Sequence, residues 1–268
     1  MTNGHGAPPI LLTIAGFDPS CGAGTAADLK TFAAHGCYGV AAIASLTVQN
    51  TQGVETVHNT PSAELRAQLE ALAKDCDIAA VKIGMLGNRG NGAATAEFLD
   101  AGGIKFVVTE LLKRVTVITP NIPEAEVLTG LAIKEPADME AAARKLVEMG
   151  AHAVIVKGGH MERAVDILFE GAEMIHLGAD KVKVDNTHGT GCAFSSALTA
   201  QLASGRSLFE AAALAKTYVT KAIEKGYAIG KGRIPLDHFY RQRIEPPARG
   251  IHEVPQHGLH PAAEPAAH

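Results

Sequence analysis

Ile10-Leu11-Leu12-Thr13-Ile14-Ala15, then the turn Gly16 to Gly24, then Thr25-Ala26-Ala27-Asp28-Leu29-Lys30-Thr31-Phe32-Ala33-Ala34 follow one another without interruption. The first run is apolar at odd and even positions alike, as a strand covered on both faces requires. The last consists of good helix formers with Leu29, Phe32 and Ala33 on one face, and Gly36 stops it. Strand, glycine-rich turn and helix make one βα unit, and the rest of the chain repeats it. Strands are expected at 40–48 and 78–85, a short antiparallel piece at Val54, Thr56 and His58, and a helix at 61–74. Beyond them come helix 93–101, strands 104–108 and 115–119, helices 124–128 and 137–149, and strand 153–157. A hairpin turned at Glu170-Gly171 spans 165–176, and two helices, 191–203 and 208–225, close the order. Such alternation predicts an α/β fold with a mostly parallel central sheet and helices on both faces. Residues 1–9 read as a flexible leader and 10–243 as a single domain. Residues 244–268, rich in Pro, His and Ala without periodicity, read as a disordered tail.

The composition narrows the function classes. With 47% hydrophobic and 19% charged residues among 268, the chain can bury a substantial core. Aromatic residues make up 4%, with no Trp, and the net charge is -4, which excludes a base-stacking nucleic-acid platform and an anionic-membrane partner. Cys21, Cys37, Cys76 and Cys192 show no C-x-x-C spacing, and no secretory leader precedes them, so a cytoplasmic location is expected.

The polar clusters fall at the carboxyl ends of successive strands, where open α/β sheets bind ligands. Asn186-Thr187-His188-Gly189-Thr190-Gly191-Cys192 runs straight into a helix. Its glycines permit close backbone approach, the unpaired amides of Gly189, Thr190 and Gly191 form an anion hole at the positive end of the helix dipole, and the dipole favours the thiolate of Cys192. Gly22-x-Gly24-x-x-Ala27 imitates a dinucleotide fingerprint, but the acid needed about 20 residues on is replaced by Ala44-Ser45-Leu46, which rules against a nicotinamide site. Asp28 is a first-turn helix acid or a ligand contact, and both readings stand. Asn121 and Glu124, around Pro123, either cap a helix or hold water around a hard cation such as Mg2+. Lys157, followed by Gly158 and Gly159 at a buried strand's end, suits a phosphate.

Taken together, Ala15-Gly16-Phe17-Asp18-Pro19-Ser20, Gly22-Ala23-Gly24 with Ala27-Asp28-Leu29-Lys30, Leu46-Thr47-Val48-Gln49-Asn50-Thr51, Val81-Lys82-Ile83-Gly84-Met85-Leu86, Thr119-Pro120-Asn121-x-x-Glu124-Ala125, Val156-Lys157-Gly158-Gly159-His160 and 186–192 resemble the hydroxymethylpyrimidine/phosphomethylpyrimidine kinases of thiamine biosynthesis. The resemblance spans about residues 10–239. It implies a ribokinase-like three-layer α/β/α fold, ATP with Mg2+, and phosphorylation of a hydroxymethylpyrimidine and then of its monophosphate by a homodimer. Under it, Asp28 and Gln49 hydrogen-bond the aminopyrimidine while Gly16 and Met85 line its pocket. Asn121, Glu124 and Lys157 serve the nucleotide, with Mg2+ on Glu124 through water. Gly189, Thr190 and Gly191 form the anion hole, and Cys192 stands where the wider superfamily carries an aspartate base. A pyridoxal kinase of the Cys-containing type and a non-catalytic pyrimidine-binding protein are the alternatives. Cys21 departs from the family, many of whose members have Gly there.

One junction departs further. Strands at 104–108 and 115–119 leave only Thr109 to Arg114 between them, whereas a parallel crossover with its helix needs about 10–12 residues or more. Thr109-Glu110-Leu111-Leu112-Lys113-Arg114 contains no turn residue, so it reads as the end of a truncated helix rather than as a hairpin. The family continues here into an Asp-Pro-Val loop and a helix that this sequence lacks. The polypeptide is therefore expected to carry roughly twenty further residues between Val108 and Thr109. Intact-mass measurement should exceed 27.8 kDa, and a mass equal to that of the 268-residue chain would defeat the expectation.

Overall fold

A computed structural model of the chain describes residues 6–99, 111–159, 164–179, 182 and 187–242. The first half is built on β1 (Ile10–Phe17), an interior strand of a four-stranded sheet whose order is β3-β2-β1-β4. β1 lies parallel to β2 (Tyr38–Asn50) and to β4 (Ile78–Ile83), and β3 (Gly53–Asn59) closes the edge antiparallel to β2. Helices α1 (Gly24–Ala34) and α2 (Ser62–Asp75) make the connections, and α3 (Arg89–Leu99) follows β4. The apolar run of β1 is sorted by the strand's period of two. Leu12 and Ile14 pack with Ala42, Ala44 and the α2 residues Leu65 and Leu69, while Leu11 faces the opposite layer with Phe32 and Ala200.

The second half repeats the sandwich. After α4 (Ile122–Thr129) and α5 (Pro136–Glu148), strands β5 (Ala153–Gly158), β6 (Ala164–Glu170) and β7 (Glu173–Ala179) form an antiparallel meander. Then come β8 (Thr187–His188), α6 (Thr190–Ala203), α7 (Leu208–Glu224) and β9 (Ile234–Pro235), with β8 and β9 parallel. Val154 and Val156 meet Met139, Ala142 and Leu146 of α5, whereas Ala153 and Ile155 meet the layer formed by α6 and α7. Helices therefore cover both faces, as the α/β expectation required.

The element boundaries hold closely, with one displacement. No regular strand occupies 115–119. Instead Ile118 bridges Val154 and Asn121 bridges Lys157, both in parallel with β5. Pro120 and Pro123 supply no N–H, so the ladder cannot lengthen into α4. The other side of the short junction, the strand expected at 104–108, lies outside the described residues, as do Asn186, His160 and the tail from 243 onward. β8 and β9 escaped sequence reading because two-residue strands carry no periodicity.

The segment after β9 tucks Leu236, Asp237 and His238 into the interior. Tyr218 donates to the His238 carbonyl at 3.1 Å, and His238 Nδ1 lies 3.1 Å from Thr31 Oγ1. Burial, assisted by the Lys30 cation, pushes His238 down to about 4, against a weaker opposing pull from Asp237. Because the imidazole stays neutral in the folded chain while the unfolded chain protonates near 6.5, its contribution is complete above about 6.5 and is lost as pH falls toward 4. Chemical unfolding between pH 7 and 4 should show a fall on the order of 1–3 kcal/mol that His238→Gln flattens. An unchanged slope in the variant would assign the acid sensitivity elsewhere.

Candidate active site

The turn after β1 coils around one carboxylate. Asp18, 1% exposed, accepts from the backbone N–H of Ser20 (2.8 Å), Gly22 (3.2 Å) and Ala23 (2.9 Å) and from Ser20 Oγ (2.7 Å). His188 Nε2 lies 3.0 Å from the same carboxylate. Burial works to raise the Asp18 pKa, but the bonds from Ser20, His188 and Ala23 hold it below the ordinary carboxylate value. Cys21 takes φ 56° within this turn, the conformation glycine favours, which explains why a glycine suits the position.

Gly189 joins that turn to α6. Its φ is 83°, and a Cβ there would lie 1.8 Å from the Gly22 carbonyl oxygen, so no other residue fits. Gly189 is also the N-cap of α6 and supplies no side-chain acceptor. The amides of Thr190, Gly191 and Cys192 consequently present the positive end of the helix at the sheet's carboxyl edge. A Cβ on Gly191 would meet nothing within 4 Å, so the space beside that residue is open.

Two walls approach this point. Gly16, at the end of β1, has no room for a side chain because a Cβ would fall 2.7 Å from Met85 Cε and 2.8 Å from Ser45 Oγ. Met85 is half exposed, and Ser45 is fully buried with a hydroxyl that no protein atom partners. Gln49, near the end of β2, borders a cavity of about 100 Å³ with Asn50, Thr51, His188 and Arg233. Arg233 is held there by its own N–H, which donates to the Thr51 carbonyl at 2.7 Å. Neither Ser45 nor Arg233 was singled out from the sequence. Ser45 lies inside an apolar strand, and Arg233 reaches the site only through β9.

Asp28 differs from expectation. It is 0% exposed, and its carboxylate accepts from Thr13 Oγ1 (2.6 Å), Lys82 Nζ (2.7 Å) and Ser196 Oγ (2.7 Å). The direct contact with an aminopyrimidine is thus corrected to a position one layer beneath the cleft. Lys82 is 3% exposed and donates to Asp28 Oδ2; burial works to lower its pKa, but Asp28 and Cys192 hold it above the ordinary value. It was passed over in the sequence because a lysine in a strand reads as a surface charge.

At the positions expected to serve the nucleotide, Asn121 and Glu124 form a reciprocal capping box on α4. The Asn121 side chain accepts from the Glu124 N–H at 2.8 Å, and Glu124 Oε2 accepts from the Asn121 N–H at 2.8 Å. The cap reading is therefore satisfied, and Glu124 Oε1 stays available. Lys157 Nζ donates to the Thr119 carbonyl. Burial lowers the Lys157 pKa, with Glu124, Asp166 and Cys192 opposing and Lys82 reinforcing. Lys157, Lys82, Glu124 and Cys192 thus share one electrostatic neighbourhood, suited to a polyanion beside a proton acceptor. A larger apolar cavity of about 520 Å³ beside α4, bounded by Ile118, Pro120 and Leu128, borders this neighbourhood at Thr119 and Glu124.

The chain matches the family described as phosphomethylpyrimidine kinase over residues 18–110 and 92–237. It is 41% identical over 259 residues to the hydroxymethylpyrimidine/phosphomethylpyrimidine kinase of Rhizobium meliloti, a match covering 87% of this chain and 97% of the relative. With the Bacillus subtilis protein of the same name it shares 39% identity, covering 87% and 95%. Among solved structures, Staphylococcus aureus pyridoxal kinase in complex with AMP-PCP and pyridoxal superposes with a TM-score of 0.80 at 36% identity, over 89% of this chain and 97% of that one. Phosphomethylpyrimidine kinase from Clostridium difficile 630 superposes with a TM-score of 0.69 at 36% identity, over 80% and 99%.

Proposed function

This chain belongs to the phosphomethylpyrimidine kinase family, and we propose that it transfers phosphate from ATP to 4-amino-5-hydroxymethyl-2-methylpyrimidine and then to the resulting monophosphate in thiamine biosynthesis. The observation that carries this reading is the contact of Gly189 with Gly22. It sets the open N-terminus of α6, with Cys192 in its first turn, against the turn that follows β1. Phosphoryl transfer depends on positioning and on fixed charge rather than on covalent chemistry by the protein.

In this reading Gln49 hydrogen-bonds the pyrimidine, and Gly16 and Met85 shape the apolar wall against its ring. The amides of Thr190, Gly191 and Cys192 receive the charge that develops on the transferring phosphoryl, and Lys157 pairs with the nucleotide phosphates. Cys192 accepts the proton of the attacking hydroxyl. Among the described residues no three His, Cys, Asp or Glu side chains cluster as a protein-only metal cage. A single available carboxylate oxygen on Glu124 suits Mg2+, which commonly keeps several waters and takes its other ligands from phosphates. When bound, the ion supplies charge neutralisation between the phosphates.

A second substrate has its own support, because pyridoxal kinase of S. aureus superposes more closely than the C. difficile pyrimidine kinase does. A hydroxymethyl pyridine differs little from a hydroxymethyl pyrimidine, so both belong in one assay. Association as a dimer is supported by the apolar Leu46, Val48, Val54 and Val57, all exposed on the β2–β3 ribbon. No helix among the described residues is long and apolar enough to cross a membrane, and a cytoplasmic kinase suits that observation. The R. meliloti match runs over 259 aligned positions although 87% of 268 is only about 233, so that relative carries residues which this sequence lacks, as the inferred segment between Val108 and Thr109 would require.

Cys192→Ala should lower kcat by about 10²–10⁴ while leaving pyrimidine affinity nearly unchanged, as steady-state kinetics with the pyrimidine and its monophosphate will read. Unchanged turnover would leave only the backbone amide of residue 192 in the mechanism. Gln49→Leu keeps the side chain's size and removes its hydrogen bonds, so calorimetry should find pyrimidine binding weakened by roughly 1–3 kcal/mol with ATP unaffected. Weakened ATP binding alone would reverse the two halves of the cleft.

A further inference from the structure

The wall at Gly16 covers a polar group that the proposed mechanism does not use. Ser45 is 0% exposed, and its hydroxyl has no hydrogen-bond partner among the described residues. A hydroxyl buried in that way costs free energy that an alanine in the same strand would not, and a partner arriving from outside would offset it. Three further buried side-chain atoms share the condition, but His238 Nε2 and Tyr240 Oη lie in the segment after β9 and Asn91 Oδ1 lies on α3. The backbone brings Ser45 to the wall. β1 and β2 pair Ala15 with Ile43 and then Gly16 with Ser45, so Ala44 is an extra residue in β2. Such a bulge re-aims a side chain. It is held by the Ala44 carbonyl, which accepts from the Thr60 N–H at 3.0 Å and from Asn91 Nδ2 at 2.9 Å. A Cβ on Gly16 would lie 2.8 Å from Ser45 Oγ and 2.7 Å from Met85 Cε. Hydroxyl and methyl therefore meet over the one position of β1 that lacks a side chain. Met85 is half exposed, and an unbranched side chain with three rotatable bonds adapts readily, so its tip can swing toward solvent and uncover the hydroxyl.

We propose that Ser45 is a specificity-determining residue, whose hydroxyl accepts a hydrogen bond from the exocyclic amino group of the pyrimidine once the Met85 tip moves aside. This rests on the reading of the chain as a pyrimidine kinase and names the group that recognises the amino substituent. That substituent needs an acceptor, because a donor buried without one weakens binding. Asp28, the acceptor expected from the sequence, is fully buried beneath the cleft and already accepts from Thr13, Lys82 and Ser196. Ser45 is the acceptor left in the wall, and a serine oxygen offers two lone pairs. Gln49 lies further along β2, so hydrogen bonds from both residues hold the ring at two points, where one alone would let it pivot. The carbon that bears the amino group adjoins the carbon that bears the hydroxymethyl group. Holding the amino group at Ser45 therefore also sets the direction in which the reacting oxygen leaves the ring. The displaced Met85 side chain remains beside the ring as its apolar wall.

The test pairs a change in the protein with a change in the ligand. Calorimetry on the full chain, wild type and Ser45→Ala, compares 4-amino-5-hydroxymethyl-2-methylpyrimidine with 5-hydroxymethyl-2-methylpyrimidine, which lacks the amino group. The variant should bind the aminopyrimidine roughly 5- to 100-fold more weakly than wild type does. It should bind the analogue to within about twofold of wild type, since the two changes delete the same contact. Its affinity for AMP-PCP should not change. Tm should stay level or rise in Ser45→Ala, because the hydroxyl removed is unpaired in the free protein. Equal binding of the aminopyrimidine by the two chains would overturn the proposal. So would an equal loss for both ligands, which marks a general change of pocket shape, or a fall in Tm, which places the hydroxyl in a bond within the fold. A wild-type chain that binds neither ligand would instead sink the pyrimidine reading and Ser45 with it, whereas wild-type binding beside an unaffected variant removes Ser45 alone.

Discussion

One buried carboxylate holds the architecture of the cleft. Asp28 is reached by Thr13 from β1, Lys82 from β4 and Ser196 from α6, while its own backbone belongs to α1. An ionised carboxylate without water costs several kcal/mol unless charge and hydrogen bonds compensate it. Four elements are therefore tied at one point, and none can rotate without leaving a buried charge unpaired. The arrangement supports stability only weakly, because replacement of such pairs by apolar residues is often neutral. Its stronger consequence is geometric, since it sets which face of α6 looks into the cleft.

A second constraint is steric. The Gly189 backbone lies against the Gly22 carbonyl at a separation that no Cβ tolerates, and Asp18 stiffens the partner turn through hydrogen bonds from its own loop and from His188. The proposed anion hole is thus braced on one side through backbone contact and on the other through a buried carboxylate. Such preorganisation suits charge that develops only in the transition state, because little reorganisation then accompanies the reaction. Met85, half exposed, and the small cavity at Gln49 and Arg233 lie at the surface, as suits walls that admit and release a ligand.

Much of this was legible along the chain. The βα unit at 10–34 announced itself because an uninterrupted apolar strand, a glycine turn and an amphipathic helix are all local features. Gly189 and Cys192 were legible for the same reason, as a helix start can be read within one turn. Asn121 and Glu124 carried the helix cap in the Asn-x-x-Glu spacing, and the capping box occupies one oxygen of Glu124. Lys82 was visible as a letter but not as a site. A lysine within a strand is ordinarily solvated, and only the arrival of Asp28 from a neighbouring helix makes burial of its ammonium tolerable.

The sequence alone determined the order of most of the longer elements, the α/β class, the helix proposed to bear the anion hole and the family resemblance, because periodicity, turn residues and motif order act over a few residues each. The tertiary structure decided which polar residues face the cleft and which lie beneath it. Asp28 went beneath, Ser45 and Arg233 came to the walls, and β8 and β9 formed where two-residue segments met. These outcomes depend on contacts such as Asp28 with Ser196, 168 residues apart along the chain, and no local pattern encodes the desolvation that such a contact imposes on both partners.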